Sequence, residues 1–100
     1  MQYCISYVKH CIRLHATKSK AQLTSEVDIK DWEAVHEVFE NMTLEDTLIV
    51  SDYATLSLSP YKLSRKYDIL KHYVKDLILD TIKRISIKRG LYDPGGTKTT

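Results

Sequence analysis

The stretch Leu63-Ser64-Arg65-Lys66-Tyr67-Asp68-Ile69-Leu70-Lys71-His72-Tyr73-Val74 decides how this chain folds. It reads as a helix-turn-helix. Two helices that cross steeply need a small residue at the crossing, which Ser64 supplies, and apolar side chains at the inward positions around the turn. Leu63, Tyr67, Ile69, Val74 and Leu77 or Ile78 occupy those positions. The outward positions Lys62, Arg65, Lys66, Lys71, His72 and Lys75 are basic or polar. Ser59-Pro60 opens the first helix, with serine as N-cap and proline at the first helical position, where its missing N–H costs nothing. That helix stops near Tyr67, Asp68 makes the corner, and a long helix follows to Ile87–Arg89, with Gly90 as its natural stop. Pro94 and Gly95-Gly96 lie beyond, and residues 91–100 read as a flexible tail.

Upstream, residues 1–15 carry Cys4, Ile5, Val8, Cys11 and Ile12 at spacings of three and four, the stripe of an N-terminal helix. Their β-branched content leaves a strand open as well. Residues 16–26, rich in Lys, Thr, Ser and Gln, read as a mobile linker. A helix is expected from about Asp28, an acidic N-cap followed by Asp31 and Glu33 at the positive end of the dipole. Its inward face is Ile29, Trp32, Val35 or His36, Phe39 and Met42. Thr43 with Asp46 three residues on is a capping-box variant, so another helix begins there and runs to Tyr53 or Ala54, with Leu44, Leu48, Ile49 and Tyr53 on its apolar side. The expected fold is all-α, a small bundle of about five helices. Residues 27–90 form the helical domain, and the helix-turn-helix occupies about 60–87.

Composition agrees with one compact domain: 100 residues, 43% hydrophobic, 28% charged, with 3 Gly and 2 Pro. The net charge of +2 conceals a pattern. Residues 1–23 hold Lys9, Arg13, Lys18 and Lys20 and no acid; residues 24–58 hold nine acids against Lys30; residues 59–90 hold nine Lys or Arg against Asp68, Asp76 and Asp80. A basic segment of this density is a footprint of polyanion binding. The longest apolar runs are Leu48–Val50 and Leu77–Leu79, so no membrane span is expected, and the start Met1-Gln2-Tyr3-Cys4 lacks a secretory signal. A cytoplasmic chain with reduced thiols follows, since Cys4 and Cys11 on one helix stand on the order of 10 Å apart. Cys4, His10, Cys11 and His15 lack zinc-site spacing, and no nucleophile elbow or phosphate loop is present. Asp76 and Asp80, one turn apart, have no acid–base partner nearby in sequence. No catalytic residue, metal or cofactor is expected.

Leu44 and Tyr53 at the two ends of one helix, the bend Leu56-Ser57-Leu58-Ser59, the helix-turn-helix, and Ile78, Ile82 and Ile85 spaced after Val74 together form a pattern. In it, residues about 44–85 resemble the region-four DNA-binding domain of bacterial sigma factors and its small relatives, the phage late-gene antiterminators and phage transcriptional activators. Three positions differ: Asp68 stands for the turn glycine, Tyr73 for a hydroxyl residue before the valine, and Leu70 for a polar residue. The resemblance implies a non-enzymatic transcription regulator that binds double-stranded DNA. The start of the second helix would enter the major groove and offer Lys71, His72, Lys75 and Tyr73 to base edges. Ser59, Tyr61, Lys62, Arg65 and Lys66 would contact phosphates, with Lys83, Arg84, Lys88 and Arg89 extending the track or only complementing the helix dipole.

The acidic stripe Glu33, Glu37 and Glu40 has three readings: a solvated face, a surface for RNA polymerase or another regulator, or an internal contact with the basic C-terminal helix. The alternative function is a helical protein–protein interaction module, an inhibitor or adaptor, which Leu70 and Tyr73 favour because a DNA reader is polar there. Stacking of single strands on Tyr61, Tyr67 and Tyr73 is a weaker option, because Tyr67 is expected to face inward.

Overall fold

The computed structural model describes residues 5–91, so the readings of residues 1–4, Cys4 among them, and of residues 92–100, with Pro94 and Gly95-Gly96, lie outside the described residues. The described chain is all-helical: α1 (Ile5–Thr17), α2 (Glu26–Phe39), α3 (Leu44–Thr55), α4 (Pro60–Tyr67) and α5 (Lys71–Arg89), with a 3-10 turn at Lys20–Gln22. None of these helices is long and apolar enough to cross a membrane.

α1 takes the helical option. Val8, Cys11 and Ile12, spaced three and one apart, are completely buried, and the helix packs on α2, α3 and α5. Its basic residues also tie it to α3: Arg13 donates to the carbonyl of Ala54 at 3.1 Å, near the end of α3, and the Lys9 ammonium lies 4.8 Å from the centre of the Tyr53 ring. The connection to α2 is shorter than the expected 16–26 linker and is anchored. Trp32 Nε1 donates to the Lys18 carbonyl at 2.9 Å, and Lys20 pairs with Glu33 at 2.5 Å.

α2 starts at Glu26, two residues before the expected Asp28. Ser25 is the N-cap: its side-chain oxygen accepts the Asp28 N–H at 3.4 Å, which places Glu26 and Asp28 inside the first turn at the positive end of the dipole. The buried face is correspondingly rotated. Asp31, Ala34, Val35, Val38 and Phe39 point inward, whereas Ile29, Trp32, His36 and Met42 are only half-buried.

α3 begins as its cap requires, with the Asp46 N–H on Thr43 Oγ1 at 3.1 Å. Its inward face differs from expectation. Ile49, Val50 and Ala54 are buried, while Leu44 is 76% exposed and Leu48 45% exposed. The reason is geometric: α1, α4 and α5 all pack on α3, and they take the Ile49–Val50–Ala54 side, leaving the Leu44–Leu48 line to solvent.

The bend after α3 leaves Leu56 exposed, takes Ser57 through φ 54°, and turns Leu58 toward the core. Ser59 and Pro60 then start α4 as expected, with the Lys62 N–H on Ser59 Oγ at 3.2 Å. At the corner Asp68 adopts the left-handed conformation, φ 54° and ψ 53°, and the Ser64 carbonyl accepts the N–H of both Asp68 and Ile69. This is the αL ending usually given to glycine. Aspartate is among the few residues with a side chain that visit it.

Leu63 is fully buried at this corner, and Tyr67 and Ile69 pack partly buried against the core. α5 presents Val74, Ile78, Ile82 and Ile85 inward at the expected spacing and packs on all four other helices. Gly90, at φ 76°, ends it, with the Leu91 N–H on the Ser86 carbonyl at 2.8 Å.

Candidate functional site

The ten residues singled out on the basic C-terminal half divide into groups that the fold holds apart. Along α5, Lys71, His72 and Lys75 fall within an arc of about 100° at the first turn of the helix. All three are exposed, and neither lysine has an ion-pair partner among the described residues. No side chain caps this helix start, because Leu70 stands at the N-cap. On α4, Tyr61 and Arg65 occupy the surface opposite buried Leu63, with Lys62 exposed at its side. The Arg65 guanidinium covers the Tyr61 ring at 5.7 Å from its centre and donates to the Tyr61 hydroxyl at 3.2 Å. Ser59 is exposed at the head of α4, with its hydroxyl oxygen already accepting the capping bond.

The other three are committed elsewhere. Lys66 pairs with Asp52 of α3 at 2.6 Å, and Tyr67 donates to the same carboxylate at 2.6 Å. Burial pushes the Asp52 carboxyl up, but the hydrogen bonds from Lys66 and Tyr67 outweigh it and hold the group below its usual range. Tyr73 points away from the Lys71–Lys75 arc and donates to Asp46 at 2.9 Å, pinning the start of α5 to the start of α3. That hydrogen bond, with a smaller effect of burial, raises the Tyr73 hydroxyl above its ordinary value. Arg84 lies three turns down the helix in an ion pair with Asp80 at 2.8 Å. It lines a shallow cleft with Asn41, Met42 and Asp46, far around the helix from Lys71. The extended track also breaks up: Lys88 pairs with Glu37 at 3.3 Å and Arg89 with Asp31 at 2.5 Å, leaving only Lys83 exposed and unpaired.

The acidic stripe on α2 is a solvated face whose acids each have a partner within the chain, but only Glu37 reaches the C-terminal helix. Glu37 faces Lys88, Glu33 faces Lys20, and Glu40 lies 3.5 Å from His36.

A polar cluster that the sequence reading did not find sits beneath that stripe. Asp31, 1% exposed, accepts the Tyr7 hydroxyl at 2.6 Å and the Arg89 guanidinium, joining α1, α2 and α5 at one carboxylate. Burial and the bond to Asp31 push the Tyr7 hydroxyl up to about 12, and burial followed by Asp31 does the same to the Cys11 thiol, also to about 12. Both groups stay protonated. A signal existed: Asp31 lies in line with Ala34, Val35 and Val38, and an acid in an apolar stripe requires a buried partner.

His10 and Asp28 each bring a ligand atom within 4.8 Å of Asp31 and of each other. Asp31 is already occupied by Tyr7 and Arg89, and the guanidinium charge opposes a cation there, so these three residues read as the edge of the ion-pair network.

No protein-family model matches the chain, and no curated protein or solved structure matches it either.

Proposed function

We propose that α4, the Asp68 corner and α5 act as a helix-turn-helix that binds duplex DNA, with the first turn of α5 in the major groove, and that the protein is a non-enzymatic transcription regulator. The observation that carries this reading is the distribution of free cations. Lys71 and Lys75 share an exposed arc with His72 at the helix start, while Lys66, Arg84, Lys88 and Arg89 are held by acids. In this arrangement Lys71, His72 and Lys75 reach base edges, and the uncapped N–H groups of α5 together with Tyr61, Lys62 and Arg65 meet phosphates. Tyr73, Lys66 and Arg84 serve the fold instead.

The test is fluorescence anisotropy with a labelled duplex across a salt series. Affinity is expected to fall linearly with log salt. Replacing Lys62 and Arg65, the phosphate contacts, together by alanine should reduce the slope by about two; replacing Lys71 or Lys75 should cost about 1–3 kcal/mol of affinity and relax sequence preference, while replacing Arg84 and Lys88 together leaves both nearly unchanged. Absence of binding at low salt removes the proposal.

A second reading, a protein–protein interaction module, has its own observation. Leu70 is 68% exposed and forms, with Ile69, Tyr73 and Glu45, an open apolar cleft between the corner and α3, close to where a DNA reader is polar. If the duplex fails to bind, this surface becomes the leading site.

A further inference from the structure

α1 and α2 also meet at a cluster of rings. His15 Nε2 and His36 Nδ1 are 3.3 Å apart. Trp32 stacks on His36 with centres 4.7 Å apart and 17° between the planes, lies 4.7 Å from the His15 centre, and Phe39 meets His15 edge-on at 5.3 Å. The two imidazole centres are 5.5 Å apart. The nitrogen–nitrogen separation accounts for most of that distance, so the two nitrogens point at one another. Such an alignment is that of an N–H···N hydrogen bond, whereas two lone pairs directed at one metal ion would converge to the side.

The alignment limits the protons the pair can hold. A neutral imidazole carries one N–H, so one ring donates and the other accepts. One added proton fits, because it sits on an outward nitrogen such as His36 Nε2, which faces Glu40 at 3.5 Å. A second leaves both facing nitrogens with hydrogens and no acceptor, and sets two positive rings against each other. We propose that His15 and His36 form a proton-gated latch, which holds the last turn of α1 on α2 in the neutral and singly protonated states and releases it when both rings are charged.

Glu40 is the charged group that faces the pair. From α2 the ionisable neighbours are His36 and Glu40; from α3 the cleft beside the rings is lined by Leu44 and Thr47, which carry no charge. In the connection, Lys20 is held by Glu33, and Lys18 contributes its carbonyl to Trp32. Burial first and His36 second hold His15 below its ordinary value of 6.5. The unfolded chain therefore binds the proton more readily, and the contribution of His15 to stability is full above that value and falls as the pH drops through it.

The test uses the full chain, in which Trp32 is the single tryptophan. Imidazole NMR titrations should show His15 and His36 taking up protons in two coupled steps, each ring sensing both. In His36→Gln, His15 should titrate in one step at higher pH than in the wild type. At the second wild-type step the Trp32 fluorescence should change. Hydrogen-exchange protection of the Lys18 amide, bonded to the Leu14 carbonyl, should drop about tenfold relative to α5 amides. Independent single-step curves for the two histidines overturn the latch, as does unchanged protection of α1 through both steps. If His36→Gln fails to fold, the wild-type titration decides alone.

Discussion

Asp31 shows how much one buried carboxylate can organise. It is the meeting point of Tyr7, Arg89 and the Cys11 neighbourhood, and its partners come from both ends of the chain. A charged group at 1% exposure is tolerated only because its lone pairs are filled and a guanidinium balances it. Removing the carboxylate leaves Arg89, itself mostly buried, without a counter-ion. Asp31→Ala should therefore cost about 3 kcal/mol in urea unfolding. By the same reasoning Lys88→Ala, which breaks a pair exposed on both sides, should cost less than about 1 kcal/mol. Equal effects from the two substitutions would mean that burial of the Asp31–Arg89 pair carries no weight.

At the scale of the element, α3 separates two kinds of leucine-type residue that composition cannot tell apart. Leu44 and Leu48 look outward, whereas Ile49 is completely buried between α1, α4 and α5. Leu44→Ser should change stability by no more than about 0.5 kcal/mol, and Ile49→Ala should lower it by about 3 kcal/mol, both read from denaturant midpoints at constant slope. The helix ends, by contrast, were legible beforehand. Thr43, Ser59-Pro60 and Gly90 each act on N–H or carbonyl groups within a few residues, so their effect is local and the expected boundaries agree with those observed to within a residue or two. Ser25 is not distinguishable as the cap by sequence, because acidic Asp28 offers the same chemistry three residues later, and only the hydroxyl reaching the Asp28 amide separates cap from first turn. Asp68 was legible for a related reason: the corner needs a positive φ, and aspartate was the one residue there able to supply it.

For the whole molecule, the basic and acidic segments that alternate along the chain partly neutralise one another in three dimensions. Lys20, Lys66, Lys88 and Arg89 are drawn to acids of α2 and α3, so among the described residues of the C-terminal half the cations without an acid partner are Lys62, Arg65, Lys71, Lys75 and Lys83. The N-terminal helix belongs to the same body, because Val8, Cys11 and Ile12 are core residues and Tyr7 completes the Asp31 cluster. A chain starting at residue 24 should lose cooperative unfolding, as followed by circular dichroism against urea; a sharp transition with an unshifted midpoint would make α1 an accessory.

What the amino-acid order determined by itself was whatever depends on neighbours a turn or less away: the helical segments from Thr43 onward, the caps at Thr43 and Ser59, the stop at Gly90, the corner at Asp68, and a basic start to the last helix. Those features follow from backbone hydrogen bonds and side-chain reach, which are short-ranged. Which cations remain free, which leucines face solvent, that an aspartate lies in the core and that two histidines meet nitrogen to nitrogen were decided only by tertiary structure. Each depends on how helices far apart in sequence rotate to share one apolar interior, and a rotation of a single position along α2 or α3 exchanges a buried group for an exposed one.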